Sequence, residues 1–278
     1  MFKHGDRPMI APMVRNAFVF GLASVLLLCS LRARRTLAAP QTVARDPAAL
    51  TLAAQSLRAL TGGAELTDAS LQGTANVPLG DEQESGSFML EVKGNEESKL
   101  VLNLSSGTRQ EIRQWQAGVW IGADGEKDAM ALHNCWTDAS VLLPVLTLQA
   151  SLGNQQTVAL YLGQTTLGGA IVDHVRLSHL VAGQSPSMAA EIQSLSAMDL
   201  YLDAVSHLPV AIKFASHPDH DLRVSIPVEI QFSAYRQMGG IQAPTRVQKF
   251  VQGTLALDLV VASVATNSGI SDLEFNTE

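Results

Sequence analysis

The chain has 278 residues, of which 46% are hydrophobic and 16% charged, and its formal net charge is −7 at pH 7. Residues 1–38 hold six of the 19 basic residues and one of the 26 acidic ones, so residues 39–278 carry a net charge of −12. That acidity argues against nucleic acid as a partner. Cys135 is the only cysteine in residues 39–278, which excludes an intramolecular disulfide there, so stability must come from the apolar core.

The N-terminus has the pattern of an export signal. Residues 17–31 form an apolar run of about fifteen residues, which suits a signal-peptide core and is short for a membrane-spanning helix. Thr36 and Ala38 then supply the small residues that precede a cleavage point. The sequence therefore predicts a signal peptide over residues 1–38 and a protein that is periplasmic or extracellular.

An uncleaved anchor is the alternative for the same segment. Arg32, Arg34 and Arg35 directly follow the apolar run, and positive charge beyond such a run slows its export. On that interpretation the protein stays attached to the inner membrane.

Residues 39–278 are predicted to form one domain, because no Pro/Ser-rich linker divides them. The first element is a helix, for which Asp46 suits the N-cap, Pro47 the first helical position and Gly62 the terminator. Apolar residues recur between them at helical spacing: Leu50, Ala53, Ala54, Leu57 and Leu60.

The hydrophobic period then changes from 3.6 to 2, which indicates strands. Two segments show strict alternation, with Phe88, Leu90 and Val92 in the first and Leu100, Leu102 and Leu104 in the second. A polar hairpin with Ile112, Trp115, Trp120 and Ile121 follows. Turn residues separate the three segments, so they predict an antiparallel meander.

The middle of the chain predicts two short helices or one kinked helix, since residues 127–153 show helical clustering around Pro144. Strands then resume and continue to the end, with Gly239 and Gly240 forming a turn or bulge. The order helix, strands, helices, strands predicts the α+β class with about ten or eleven strands.

Four stretches of the sequence carry a resemblance to a known family. They are the N-terminal helix ending in LTGG, the strand-turn-strand MDLYLDAVSHLPVAIKF, the segment YRQMGGIQAPTRV, and the terminal VVASVATNSGISDLEF. Together they resemble the periplasmic lipoprotein-carrier superfamily, which includes the outer-membrane lipoprotein-sorting carriers. The resemblance implies a half-barrel, a strongly curved antiparallel sheet whose apolar concave face is covered by a few helices.

Shared strand parity and apolar character make five residues the candidate ligand-binding residues: Phe88, Leu90, Leu102, Ile230 and Phe232. In the family that the chain resembles, acyl chains occupy the cavity. We therefore expect a non-enzymatic envelope protein that binds or carries a lipid, a lipoprotein acyl chain or another lipophilic ligand. The alternative is an interaction module that docks another envelope protein and whose apolar residues pack into a dry core.

Catalytic residues, metal ligands and cofactors are not predicted. His217, Asp219, His220 and Asp221 are residue types that bind transition metals, but their setting suits a solvated turn better. His133 and Cys135 lie two apart on a predicted helix, where side chains diverge, so Cys135 is expected to be a small buried residue. The sequence contains no nucleophile elbow, phosphate loop or dinucleotide fingerprint.

The export signal gives a direct prediction. N-terminal sequencing of protein recovered from the periplasm or medium is expected to begin at Ala39, because the apolar run is short and small residues follow it. Recovery of the intact N-terminus in the membrane fraction would instead establish the anchor.

Overall fold

Thirteen strands pair into a single antiparallel sheet in the computed structural model, which describes residues 43–80 and 82–278. The predicted signal peptide, residues 1–38, lies outside the described residues. These described residues cluster as one compact unit.

The helices are α1 (Pro47–Thr61), α2 (Pro144–Gly153) and α3 (Pro186–Leu195), with 3-10 turns at Leu132–Cys135 and Asp272–Phe275. The strands are β1 (Asp68–Leu79), β2 (Glu82–Lys93), β3 (Glu97–Leu104), β4 (Gly107–Gln114), β5 (Ala117–Ile121), β6 (Lys127–Ala129), β7 (Thr157–Leu167), β8 (Ala170–His179), β9 (Met198–Asp203), β10 (Pro209–Ser216), β11 (Ile226–Met238), β12 (Ile241–Val251) and β13 (Thr254–Thr266). Within these described ranges, every helix is too short or too polar to cross a bilayer.

The strand order shows how the chain builds the sheet. It runs β6-β5-β4-β3-β2-β1-β13-β12-β11-β10-β9-β8-β7. The chain therefore starts at the centre, proceeds to one edge, crosses to the opposite edge, and returns to the centre. We call β1–β6 the first arm and β7–β13 the second arm.

The sheet is strongly curved. Glu111 on β4 and Lys249 on β12 are five strand positions apart in the order, which would separate them by about 24 Å in a flat sheet. Their charged groups instead lie 4.0 Å apart. The two arms thus bend toward each other, which confirms the predicted half-barrel.

Helices α1 and α2 cover part of the concave face. Ala53 and Leu60 of α1 and Leu148 of α2 are buried in the same hydrophobic cluster as the inward-facing strand residues Leu90 and Ile230. Asp46 accepts a hydrogen bond from the Ala48 amide, and Gly62 ends α1 in a left-handed conformation. The predicted caps of this helix are therefore confirmed.

A close approach of two strands makes one glycine necessary at the centre of the sheet. The β1–β13 register shifts between Gln72 and Gly73. A Cβ atom at Gly73 would lie 1.9 Å from the Val260 carbonyl oxygen and 2.9 Å from the Phe88 ring. Only glycine fits this bulge, and its missing side chain leaves the space that Phe88 occupies.

The connection from β6 to β7 crosses the concave side of the half-barrel. Residues 130–143, which we call the strap, lead from β6 into α2. On the first arm, Arg113 of β4 is 6% exposed and donates to the Thr137 hydroxyl at 2.8 Å and to the Asn134 carbonyl at 3.0 Å. The strap is thus fixed to β4 by a buried cation that donates to its carbonyl and hydroxyl oxygens.

A buried cluster joins the strap to both arms at once. Asp138 of the strap accepts from His179 Nε2 at 2.6 Å, at the end of β8, and from Asn95 Nδ2 at 3.1 Å, in the β2–β3 turn. The Ala139 amide donates to the Asn95 carbonyl at 2.8 Å, and the Trp115 ring packs edge-on against His179 with centroids 4.7 Å apart. Asp138 therefore links two strands that are far apart in the sheet order.

The outer face of the first arm carries a small second core. Phe275 in the C-terminal 3-10 turn is fully buried against Ile112 and Val119. Lys99 of β3 pairs with Glu274 at 2.8 Å. The C-terminal segment is thereby attached to the convex side of the sheet.

Three elements differ from the sequence prediction. The sequence does not predict strands β1 and β6 or helix α3. The middle region contains a 3-10 turn and α2, which matches the predicted alternative of two short helices. Pro144 occupies the first turn of α2, where its missing N–H costs nothing. The predicted turn at Gly239 and Gly240 is confirmed, both residues having positive φ.

Electrostatics at the buried cluster are dominated by Asp138. Burial of the His179 ring opposes the charged form, but the hydrogen bond that the ring donates to Asp138 and the charges of Asp138 and Glu96 outweigh it, so the pKa of His179 is raised. A raised histidine pKa stabilises the fold fully below the unfolded value, about 6.5, and this contribution is lost as the pH rises through the folded value.

We therefore expect His179→Gln to lower the free energy of unfolding most at pH 6, by about 3 kcal/mol, and less as the pH rises above the folded pKa. Urea unfolding at several pH values measures the difference. The exposed His220 provides the control, since His220→Gln is expected to follow the wild-type profile. An offset for His179→Gln that does not vary with pH would contradict the ion-pair interpretation.

Candidate ligand-binding cavity

A cavity of about 400 Å³ lies between the two arms beneath the strap. Leu90 and Leu100 line it from the first arm, Val228 and Ile230 from the second, and Val141 from the strap. Leu90 pairs with Leu100 across β2 and β3, so the alternation of apolar residues brings them to the same face. The cavity lies on the part of the concave face that α1 and α2 leave uncovered.

A second cavity of about 340 Å³ lies beside the first. Val77, Leu102 and Leu257 line it, together with the more polar Arg109 and Asp128. The two cavities share five lining residues: Leu100, Glu111, Trp120, Lys249 and Val251. They are therefore two chambers with a common wall.

An ion pair crosses the concavity at this common wall. Lys249 Nζ lies 4.0 Å from a carboxylate oxygen of Glu111 and 5.8 Å from the centroid of the Trp120 ring. Lys249 is opposite Ile230 on β11 and Leu257 on β13, so its charge interrupts an apolar row. The side chains of Lys249 and Glu111 are 26% and 17% exposed, and both remain in contact with water.

The five predicted ligand-binding residues all lie on the concave side, in different surroundings. Leu90 and Ile230 line the larger chamber, and Leu102 lines the smaller one. Phe88 and Phe232 are 2% and 4% exposed and pack in the hydrophobic core, outside the lining of both chambers. Contact of any of the five with a ligand stays a prediction.

The polar groups in the larger chamber are mostly bound to the protein itself. Arg113 donates to the strap, as described above. Asn134 donates to the His217 carbonyl at 2.7 Å and accepts from the His217 amide at 2.9 Å and from the Ser216 hydroxyl at 3.1 Å. These groups hold the strap against β10 and leave Lys249 and Glu111 as the charged pair that meets the cavity without a hydrogen bond among the described residues.

The histidine-rich stretch and Cys135 take structural positions. His217 Nδ1 lies 3.0 Å from the Val224 carbonyl, and His133 stacks edge-on against His217 with centroids 6.1 Å apart. Cys135 is buried, as predicted, and its burial raises the pKa of the thiol. In residues 43–80 and 82–278, His, Cys, Asp and Glu side chains do not gather into a group of three or more suited to a metal ion.

Sequence reasoning missed Lys249 and Glu111. A signal for Lys249 is present, because a lysine occupies a position of β12 that strand parity assigns to the apolar face. Glu111 carries no such signal, since its strand is polar on the inner face at Arg109, Glu111 and Arg113 and places Ile112 outside. Alternation of hydrophobic residues would assign the opposite orientation to this strand.

Comparison with known proteins gives no match to a protein-family model and none to a curated protein sequence. Solved structures do match. An outer membrane lipoprotein-sorting protein domain from Vibrio parahaemolyticus is 10% identical, with a TM-score of 0.50 over 82% of this chain and 96% of that chain. A LolA superfamily protein from Nitrosomonas europaea is also 10% identical, with a TM-score of 0.51 over 82% of this chain and 97% of that one.

The match extends over almost the whole length of both solved structures, and at 10% identity it concerns the fold alone. The predicted resemblance is thus confirmed at the level of the fold: the chain has a LolA-like fold.

Proposed function

We propose that the protein is a non-enzymatic envelope protein that binds or carries a lipid, a lipoprotein acyl chain or another lipophilic ligand in its cavity. The observation that carries the proposal is the chamber of about 400 Å³ on the concave face, where Leu90, Leu100, Val228 and Ile230 form an apolar part of its lining. Its size falls within the range of about 300–1,000 Å³ that is usual for ligand pockets. Filling it with an apolar chain removes leucine, valine and isoleucine side chains from water.

The fold supports the same proposal. A sheet with one apolar face must cover that face, and here α1 and α2 cover only part of it. Structures with this fold include a domain described as lipoprotein-sorting, which is consistent with an acyl chain completing the cover. The predicted export signal in residues 1–38 is consistent with a periplasmic or extracellular site of action.

A second candidate is an interaction module that docks another envelope protein. Phe88 and Phe232 favour it, since both are already buried in a packed core, as the dry-core interpretation requires for the rest of the concave face. The two candidates differ in what occupies the chambers: a carrier fills them with a ligand, and an interaction module binds no ligand there.

Native mass spectrometry of protein purified from its own cells separates these candidates. A carrier is expected to retain a lipophilic adduct that organic extraction removes. Mass equal to that of the polypeptide alone, in a preparation never exposed to detergent, would favour the interaction module.

A charge placed in the smaller chamber tests whether the cavity accepts lipid. Leu102 is partly buried, pairs with Phe88 and Arg109 on the neighbouring strands, and lines a chamber that opens to solvent at its polar side. A glutamate at this position can reach water or Arg109, so for Leu102→Glu we expect the unfolding temperature to stay close to that of the wild type. Bound lipid is expected to fall about tenfold, because the new charge lies two residues from Leu100, at the wall that the two chambers share, where contact with an acyl chain makes it costly.

The matched control is Val101→Glu. Val101 is the preceding residue on β3, so its side chain projects from the opposite face of the sheet, and it is also partly buried. This variant is expected to retain lipid. Unfolding of Leu102→Glu together with a lipid-free wild type would reject the carrier and support a dry core.

A further inference from the structure

We infer that Lys249 binds the anionic head group of a single-chain amphiphile whose acyl chain occupies the larger chamber, and that Glu111 is the internal counterion which the ligand replaces. The inference rests on the proposed function and adds the chemical class of the ligand. The observation behind it is the Lys249–Glu111 pair at the common wall of the two chambers.

The two neighbouring arginines donate hydrogen bonds within the protein, whereas Lys249 does not. Arg113 donates to the strap at 2.8 Å and 3.0 Å, and Arg109 donates to Glu84 at 2.8 Å. Lys249 has no hydrogen bond among the described residues, since its distance of 4.0 Å to Glu111 is too long for one. Its three N–H donors are therefore available to a ligand oxygen.

The position of Lys249 also favours an amphiphile over a purely apolar ligand. Ile230 and Leu257 are its cross-strand neighbours, so an anion held at Lys249 has apolar side chains immediately beside it. A chain that starts there can follow Ile230, Val228 and Leu90 into the larger chamber. Head group and tail are then both matched, the first by a charge-assisted hydrogen bond and the second by apolar surface.

Glu111 is the counterion of Lys249, and it also limits the site to one anion. Its carboxylate sits close to the position that the ligand anion would take, so it repels a second anion and must turn away toward water when the ligand binds. The partial exposure of its side chain, 17%, leaves room for that movement. Removing the carboxylate is therefore expected to strengthen anion binding.

The ligand chemistry is an anionic oxygen at one end of an acyl chain, which a carboxylate or a phosphate can supply. Equilibrium dialysis with palmitate, hexadecyl phosphate and uncharged hexadecanol distinguishes the two anions from the chain alone. The wild type is expected to bind at least one anion about tenfold more tightly than hexadecanol, the effect of one charged hydrogen bond.

Two variants and one control complete the test. Lys249→Gln is expected to abolish the preference for the anion while hexadecanol binding stays at the wild-type level, and Glu111→Gln is expected to increase the preference. Lys213 forms a similar pair with Glu229, at 3.0 Å, on the outer face. Lys213→Gln makes the same change in net charge and is expected to leave all three affinities unchanged.

The outcomes separate this inference from the proposed function. Equal binding of anions and hexadecanol by the wild type, or an unchanged preference in Lys249→Gln, overturns the assignment of Lys249 and leaves lipid binding intact. Binding of none of the three ligands overturns both. If Lys249→Gln fails to unfold cooperatively, Glu111→Gln alone decides, and a weaker anion preference in that variant overturns the inference.

Discussion

The crossing from β6 to β7 is the constraint on which the rest of the structure depends. These strands form opposite edges of the sheet, so residues 130–156 must span its full width. On the concave side the crossing can bury apolar residues, and α2 and the strap do so at Leu148 and Val141. The connection therefore serves as the cover of the sheet, and the cavity is the part of the concave face that it leaves open.

Polar groups, more than apolar ones, determine where the strap lies. Arg113, Asn95 and His179 each reach it from a different strand or turn, and all three bind backbone or carboxylate oxygens. Hydrogen bonds specify position more narrowly than apolar contact does, because they require distance and direction together. An unpaired polar group in such a buried network is costly, so the strap is held in one position. That position sets the distance between the strap and the sheet, and thus the depth of the larger chamber.

Sequence patterns predicted the elements in which one face is clearly apolar. In β2, β3 and β11 the alternation of leucine, isoleucine and phenylalanine with polar residues identified both the strand and its inward face. The family resemblance added the curvature, which no local pattern contains. Helix α3 has a recognisable start at Ser185 and Pro186, and Ser185 accepts from the Met188 amide. Its apolar residues are few, so the start signal has no clear helical period behind it.

The missed elements and residues have separate physical causes. Strand β1 has small and polar residues at many positions, including Gly73 at the bulge, so its alternation is weak. Strand β6 has three exposed residues and forms only because β5 offers it an edge. Lys249 and Glu111 belong to different arms, and their meeting depends on the bend of the whole sheet. Contacts of this kind follow from tertiary structure and have no signature in a local window of sequence.

The placement of the tryptophans has a consequence for spectroscopy. The chain has three, and all are located around the strap: Trp136 within it, Trp115 against His179 and Trp120 at the wall between the chambers. The convex face of the second arm contains none. Intrinsic fluorescence therefore samples the covered side of the sheet selectively, and Trp120, 44% exposed and close to the Lys249 ammonium, is the indole whose emission responds to water leaving the chambers.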